Sequence, residues 1–449
     1  MRYGLREEEV TLNKKILVLS ISAWNSKVGA DTWPMLLNHY EPSSVASLSL
    51  RDDYPDSDVA KHYFVISENR VMKSIFNRKL VTGHVVGENQ SKQELDDLAS
   101  QNKRYGVKKH ELVFRILREF VWKFGKWKSK ELRDFIDNFQ PDVILYSMEG
   151  YIHLNRICMY VKKYSHAKSI GFFWDDNFTY KQSNEVLHCI FRFFQRKSLR
   201  KLAANTDAFW AITDMTKREA DAFFNVDCTV LTKPLRTTPV YLEAAPHKPL
   251  QILYTGNLQI GRDASLVKVV NALRKVNEKQ VEFEVHVYTK TVLEPTVLNQ
   301  LSCEFCHIHE AIPQAEVLAL QKKADILLFL EDVDGKYAHK ARLSFSTKIT
   351  DYLCAAKCIL AVGCIDTAPM QYFQEYQAAI IATSEKEIAD QLTVLANNPE
   401  KLNEYAERAC LCAIKNHEKE KIHRIVDETI DKVLTDAQRR GFLNEHIAD

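Results

Sequence analysis

Along the chain, short apolar runs that end in turn residues alternate with longer stretches whose apolar positions recur at helical spacing. In the first half the runs are KKILVLSIS (14–22), PDVILYSM (141–148), AKSIGFFW (167–174) and DAFWAIT (207–213). In the second they are LQILYTGN (250–257), FEVHVYT (283–289), FCHIH (305–309), ADILLFL (324–330), CILAVG (358–363) and AAIIAT (378–383). Runs this short, bounded by turn residues and separated by helices, predict parallel sheets covered on both faces. Between the halves, LTKPLRTTPVYLEAAPHKP (231–249) carries four prolines and no helical period, which predicts a linker. The expected domains are 1–235, 236–420 and a C-terminal helix, 421–449, that crosses back onto the first. Beyond about residue 385 the pattern predicts two helical stretches with a break at Asn397, Asn398 and Pro399. Ligands of open parallel sheets bind beyond the carboxyl ends of the strands, so residues just after each strand are the first candidates for function. A cleft between the two halves is the expected active site.

Length agrees with two cores, since 449 residues exceed one ordinary domain of about 100–200 residues. Hydrophobic content of 46% beside 27% charge is that of a globular chain. A net charge of +2 lacks the basic excess of a nucleic-acid binder. Acidic Glu7, Glu8 and Glu9 precede the apolar run at Ile16, which reads as a first strand and not as a signal peptide. No run approaches the roughly 18–20 apolar residues of a membrane span. Ten cysteines without a secretory signal fit free thiols in a reducing cytoplasm.

The segment ADILLFLEDVDGKYAHKARLSFSTKITDYLCAAKCILAVG (324–363) carries the densest chemistry. It predicts a strand ending at Leu330, a polar loop, a helix opening near Ser346 or Thr347, and a strand from Cys358. A helix N-terminus offers unpaired amides and partial positive charge, and Lys348 adds a full one, so a diphosphate would be stabilised there. Asp351, three residues on, can face the same ligand and accept from ribose hydroxyls. The bland reading is an amphipathic helix with Tyr352 and Leu353 in the core and two solvated charges. In LQILYTGNLQIGRDASLVKVVNAL (250–273), a strand leads through a Gly-containing loop into a helix. Gly256 allows close backbone approach, Asn257 follows it, and Arg262 has the fork that grips phosphate oxygens.

STKITDYLCAAKCILAVG resembles the nucleotide-binding signature of GT-B glycosyltransferases, of the group 1 or family 4 type that assembles bacterial polysaccharides. That family pattern has a Ser-Lys pair, then Glu-Tyr-Leu, a small-residue turn and a strand. The resemblance implies two Rossmann-like doubly wound α/β domains facing a central cleft. It implies a nucleotide-sugar donor held in the C-terminal half by Gly256, Asn257, Arg262, Ser346, Thr347, Lys348 and Asp351, with Asp351 doing the ribose work usually given to glutamate. The implied acceptor is lipid-linked or an oligosaccharide, and no metal or other cofactor is expected. The resemblance also places a catalytic turn after AKSIGFFW, although the family's histidine is missing. There Asp175 or Asp176 would act as general base, or else form an Asx turn or helix cap. Asn25, Gly29 and Glu149 follow strands in equivalent positions and are weaker acceptor-side candidates. Many retaining members carry two glutamates separated by seven residues, and Leu343 occupies the first position here. Two other readings stand beside transfer: a non-catalytic relative that binds a partner, and a nucleotide-sugar epimerase.

Cys303 to His307 also matches the spacing for haem attachment, and His309 adds a metal-ligand type. No second ligand pair is visible, and strand alternation points Cys306 and His307 to opposite faces, so neither haem nor metal is expected. From Lys103 to Arg133 basic residues outnumber acidic ones eleven to three, with Val113, Ile116, Phe120, Phe124 and Trp127 at helical spacing. The stretch 189–201 is similar. Both suit an amphipathic helix on an anionic membrane, which would make a cytoplasmic chain peripheral to the inner face, and both also suit core-facing helices with solvated lysines.

Overall fold

The computed structural model describes residues 14–25, 31–52, 54–87, 111–179 and 185–445, with the side chains of Glu111, Gln314 and 436–445 excepted. Contacts divide the chain into two compact units. The first comprises Met1–Phe173, Asn177–Leu231 and Ile422–Asp449; the second comprises Trp174–Asp176 and Thr232–Lys421.

The first unit's sheet is built from β1 (Ile16–Ser20), β2 (Val45–Ser49), β3 (His62–Ile66), β4 (Gly83–Val85), β5 (Val143–Ser147), β6 (Lys168–Phe173), β7 (Ala208–Ala211) and β8 (Cys228–Val230). Among the described residues their order is β4-β3-β2-β1-β5-β6-β7-β8. Among the described residues only the β3–β4 pairing is antiparallel. Every residue of β1, β2 and β5 is buried, as expected for central parallel strands covered on both faces. Serine and threonine caps start two of the helices of this unit: Ser129 Oγ accepts from the Leu132 amide at Lys130–Phe139, and Thr213 does so from Thr216 at Asp214–Phe224.

The second unit's sheet has β9 (Leu250–Thr255), β10 (Phe283–Thr289), β11 (Cys306–Glu310), β12 (Ile326–Leu330), β13 (Cys358–Val362) and β14 (Ile380–Ala382), in the order β11-β10-β9-β12-β13-β14 and all parallel. Strand alternation splits its apolar residues into two cores. Ile252, Tyr254, Leu328, Leu330, Leu360 and Val362 pack with helices Arg262–Val276 and Glu385–Asn397 through Leu266, Val269, Val270, Ile388 and Leu392. Leu253, Leu327, Phe329, Ile359 and Ala361 pack on the opposite face with helices Thr347–Ala355, Ala368–Glu375 and Glu400–His417. Both sheets thus reverse strand order once, at β1/β5 and at β9/β12, which is the doubly wound Rossmann topology.

Residues 231–249 form no helix or strand. They are laced to the helix Glu400–His417: the Leu235 amide donates to His417 O at 3.0 Å, and His417 Nδ1 bonds Lys233 O at 2.8 Å. Among the described residues after 385 there are three helices where two were expected, because the chain breaks at Glu418 (ψ 130) as well as at Asn398. Among the described residues no helix is long and apolar enough to cross a membrane.

Candidate functional site

Polar side chains of the second unit gather beyond the ends of β9 and β12, where the strand order reverses. Gly256 leaves β9 with φ +134°, a conformation open mainly to glycine, and a Cβ there would run into the Lys348 ammonium. Ile260 (φ 61°) and Gly261 (φ 80°) also take left-handed conformations before the helix Arg262–Val276 begins. A Cβ on Gly261 would lie 2.8 Å from the Asp332 carboxyl carbon. The loop is therefore pinched between a lysine on one helix and a carboxylate following β12.

Arg262 ties this loop to β12. Its Nε donates to Leu330 O at 3.0 Å, Nη1 to Asn257 Oδ1 at 3.0 Å, and Nη2 to both Glu331 oxygens at 2.9 and 3.0 Å. The Glu331 side chain is only 3% exposed, so this is a buried pair whose arginine compensates the carboxylate. Ser265 Oγ donates to Glu331 O at 2.7 Å, and the Val333 amide donates back to Ser265 Oγ at 3.1 Å. The guanidinium in this structure is spent on the protein, and a ligand beside it meets mainly its positive field.

Lys348 is the second residue of the helix Thr347–Ala355. Its Nζ donates to the Tyr254 hydroxyl at 2.8 Å and lies 4.2 Å from that ring's centroid. Only part of the residue reaches solvent. Among the described residues no carboxylate pairs with the ammonium within 4.0 Å. Burial, and after it the Arg262 guanidinium, pull its pKa down to about 7, against the attraction of Glu331 and Asp351. Ser346 precedes the helix with φ −64° and ψ 130°, and its side chain makes no capping bond to the first amides. Thr347 is exposed. Asp351, one turn on, has Oδ1 3.7 Å from Arg236 Nε. The structure thus brings Gly256, Asn257, Arg262 and Lys348 together, with Ser346, Thr347 and Asp351 on the helix that carries Lys348.

Of the candidates in the first half, Asp175 and Asp176 belong to the Trp174–Asp176 turn that groups with the second unit. Ser344 Oγ donates to Asp175 Oδ1 at 2.5 Å, and Arg342 Nε stands 4.0 Å from Asp176 Oδ2. Leu343, between those two partners, is fully buried. Asn25 Nδ2 donates to Tyr54 O at 2.5 Å. Glu149 follows β5 and is half-buried. Gly29 and residues 103–110 lie outside the described residues.

Sequence reasoning missed Tyr254 and Glu331. Both stand at strand ends in the segments it quoted, but their partners Lys348 and Arg262 are 94 and 69 residues away.

In the first unit, the helices Glu111–Phe124 and Val186–Ala203 expose Phe114, Leu117, Phe120, Phe124, Leu187, Ile190, Phe193 and Phe194, with Leu117 at 53% and Phe193 at 62%. The Arg115 guanidinium lies 5.5 Å from the Phe191 ring, joining the two helices. Trp127 is buried and Ile116 partly so, which removes them from the exposed set.

Neither a protein-family model nor a curated protein matches the sequence. Solved structures do match. HepE of Anabaena, in complex with UDP, superposes with a TM-score of 0.59 at 9% identity over 93% of this chain and 100% of its own. The α,α-trehalose 6-phosphate synthase of Burkholderia multivorans gives 0.59 at 8% over 96% and 100%. Sucrose-phosphate synthase of Thermosynechococcus elongatus gives 0.62 at 8% over 94% and 100%. With two Rossmann-type units, each reversing strand order once, and full-length superposition on these structures, the chain has the GT-B fold of nucleotide-sugar glycosyltransferases.

Proposed function

We propose that the chain is a glycosyltransferase whose second unit binds a nucleotide-sugar donor, with the diphosphate at the mouth of the helix Thr347–Ala355. The observation that carries this reading is Lys348. Its ammonium is packed onto Gly256 and Tyr254 at the strand-order reversal with its pKa lowered, so the site holds positive character that an anion would relieve. Lys348 and the first helix amides would hold the diphosphate, Arg262 would add its field, and Asp351 would accept from the ribose. The same groups would receive the negative charge that leaves the anomeric carbon, which is where a transferase gains most from fixed donors. Asp175 or Asp176 would take the proton of the acceptor hydroxyl. HepE, solved with UDP and with UDP-glucose, makes uridine nucleotides the first donors to try.

The acceptor in this proposal is a lipid-linked or oligosaccharide hydroxyl. Support for a lipid comes from the exposed aromatic and aliphatic residues of Glu111–Phe124 and Val186–Ala203, interleaved with Arg115, Arg118, Arg192, Arg196 and Lys197. That combination binds anionic bilayers by partition plus charge.

A thermal-shift panel of UDP, GDP, TDP and CMP sugars, followed by hydrolysis and transfer assays, tests the donor site. One nucleotide is expected to bind, with Lys348→Ala and Asp351→Ala each weakening it by roughly tenfold or more, the loss of a charged contact. If both variants bind as the parent does, the assignment fails. Burial of Leu343 favours a second reading, binding without transfer, which a nucleotide hit with no turnover on any acceptor would select. Co-sedimentation with anionic vesicles at low salt, abolished by Phe120→Glu with Phe193→Glu, tests the membrane face.

A further inference from the structure

At the margin of the second sheet, β10 and β11 run parallel in a register that sets His286 against His307 and Tyr288 against His309. Residues two apart on a strand share a face. Glu284 and His286 therefore meet His307 and His309 on one side, while Cys306 packs against the apolar core on the other. The His286 and His307 rings stack with centroids 4.8 Å apart. Each of Glu284, His286 and His307 contributes one donor atom to a group whose members all lie within 4.8 Å of one another, and all three residues are half-buried.

Outer contacts hold these groups in place. Glu284 Oε2 is 3.7 Å from His286 Nε2 and accepts from Gln251 Nε2 at 3.1 Å. The other nitrogen of His286, Nδ1, lies 3.1 Å from His309 Nε2, and the His309 ring stacks on Tyr288 at 4.4 Å. A ring whose Nδ1 is engaged presents Nε2 outward, toward the carboxylate.

We propose that Glu284, His286 and His307 form a binding site for a divalent transition-metal ion, zinc by the character of its donors, with His309 and Gln251 orienting the ligands. Two imidazoles and a carboxylate are donors that zinc takes at about 2.0–2.2 Å, which sets ligand atoms about 3.3 Å apart around a tetrahedral ion. The donor atoms here lie within 4.8 Å of one another, wider than that ideal, so side-chain rotation would have to draw them in on binding. A histidine ligand whose second nitrogen is hydrogen-bonded, and a carboxylate held by an amide, are the outer contacts that tune such sites. Three protein ligands leave a fourth position open. The site is level with Leu253, in the middle of β9, whereas the Lys348 group lies beyond the strand's end at Gly256. It is thus separate from the proposed donor site and would clip the edge strand β11 to β10.

The test uses the full chain, stripped with a chelator and titrated calorimetrically with Zn²⁺ alone. One equivalent is expected to bind. His286→Ala and His307→Ala should each weaken it at least about tenfold, and His309→Ala by about 10–100-fold, as outer-contact losses do. Glu284→Gln, nearly isosteric, provides a ligand deletion that leaves packing intact and should also weaken it. Co²⁺ in place of Zn²⁺ should give a nitrogen and oxygen spectrum without thiolate charge transfer. Absence of stoichiometric uptake, uptake that survives loss of both histidines, or a thiolate band would overturn the assignment.

Discussion

Burial brings the titration of Lys348 down toward neutral pH, and that has consequences for both stability and binding. In the folded chain its pKa falls to about 7, whereas an unfolded lysine titrates near 10.4. Between those values the unfolded chain binds the extra proton, so stability rises with pH across that window. Below about pH 7 both states are protonated, and the cost of burying the ammonium is felt in full. A bound diphosphate reverses the balance by supplying opposite charge, so binding above pH 7 should draw a proton into the site. Calorimetry near pH 8 in two buffers of different ionisation heat should show uptake approaching one proton per nucleotide bound, and none for Lys348→Met. The same variant should melt higher than the parent by about 0.5–2 kcal/mol of stability while losing affinity, the trade expected of a functional buried charge. Zero proton uptake by the parent would show that the ammonium does not meet the ligand.

At the scale of elements, the loop from Gly256 to Gly261 exists because two glycines let backbone approach two charged side chains. Gly256→Ala should cost more than about 1 kcal/mol, since it adds strain at positive φ and displaces Lys348. Urea melts of the variant, set beside a Lys348→Ala Gly256→Ala double variant that removes the clash, separate strain from collision. This loop was legible in the sequence as a strand, a glycine and a helix, and so was the helix from Thr347, because turn residues and apolar periodicity are local signals. Strands β2 and β3 were absent from the expected runs: VASLS (45–49) interrupts its apolar residues with serines, and Ser47 and Ser49 are nevertheless buried in the sheet. Register was equally hidden. The tie from Arg262 to Glu331 and the meeting of Glu284 and His286 with His307 depend on which strands become neighbours, and that is a property of the whole sheet. The pattern of ligand types in FCHIH was visible, but its partner pair on β10 was not.

On the scale of the molecule, the first unit is discontinuous, since residues 422–445 return to it after the second unit is complete. Trp210 Nε1 donates to Thr429 Oγ1 at 3.0 Å, His423 Nε2 bonds Met35 O at 3.0 Å, and the Tyr40 hydroxyl and His39 Nε2 both reach Asp427, at 2.5 and 2.9 Å. Ile422, Val426 and Ile430 are buried, each worth about 1.5–3 kcal/mol. A chain ended at Lys421 should therefore lose the first unit's protection from limited proteolysis while fragments of Thr232–Lys421 persist. Equal protection of both units would show that the returning helix is dispensable.

The returning helix also orders events on the ribosome. The segment that closes the second unit emerges before the one that seals Trp210, so the half translated first must wait, incompletely covered, until the half translated later has already been able to fold. Premature termination within residues 422–445 would accordingly damage the earlier-made of the two units and spare the later-made.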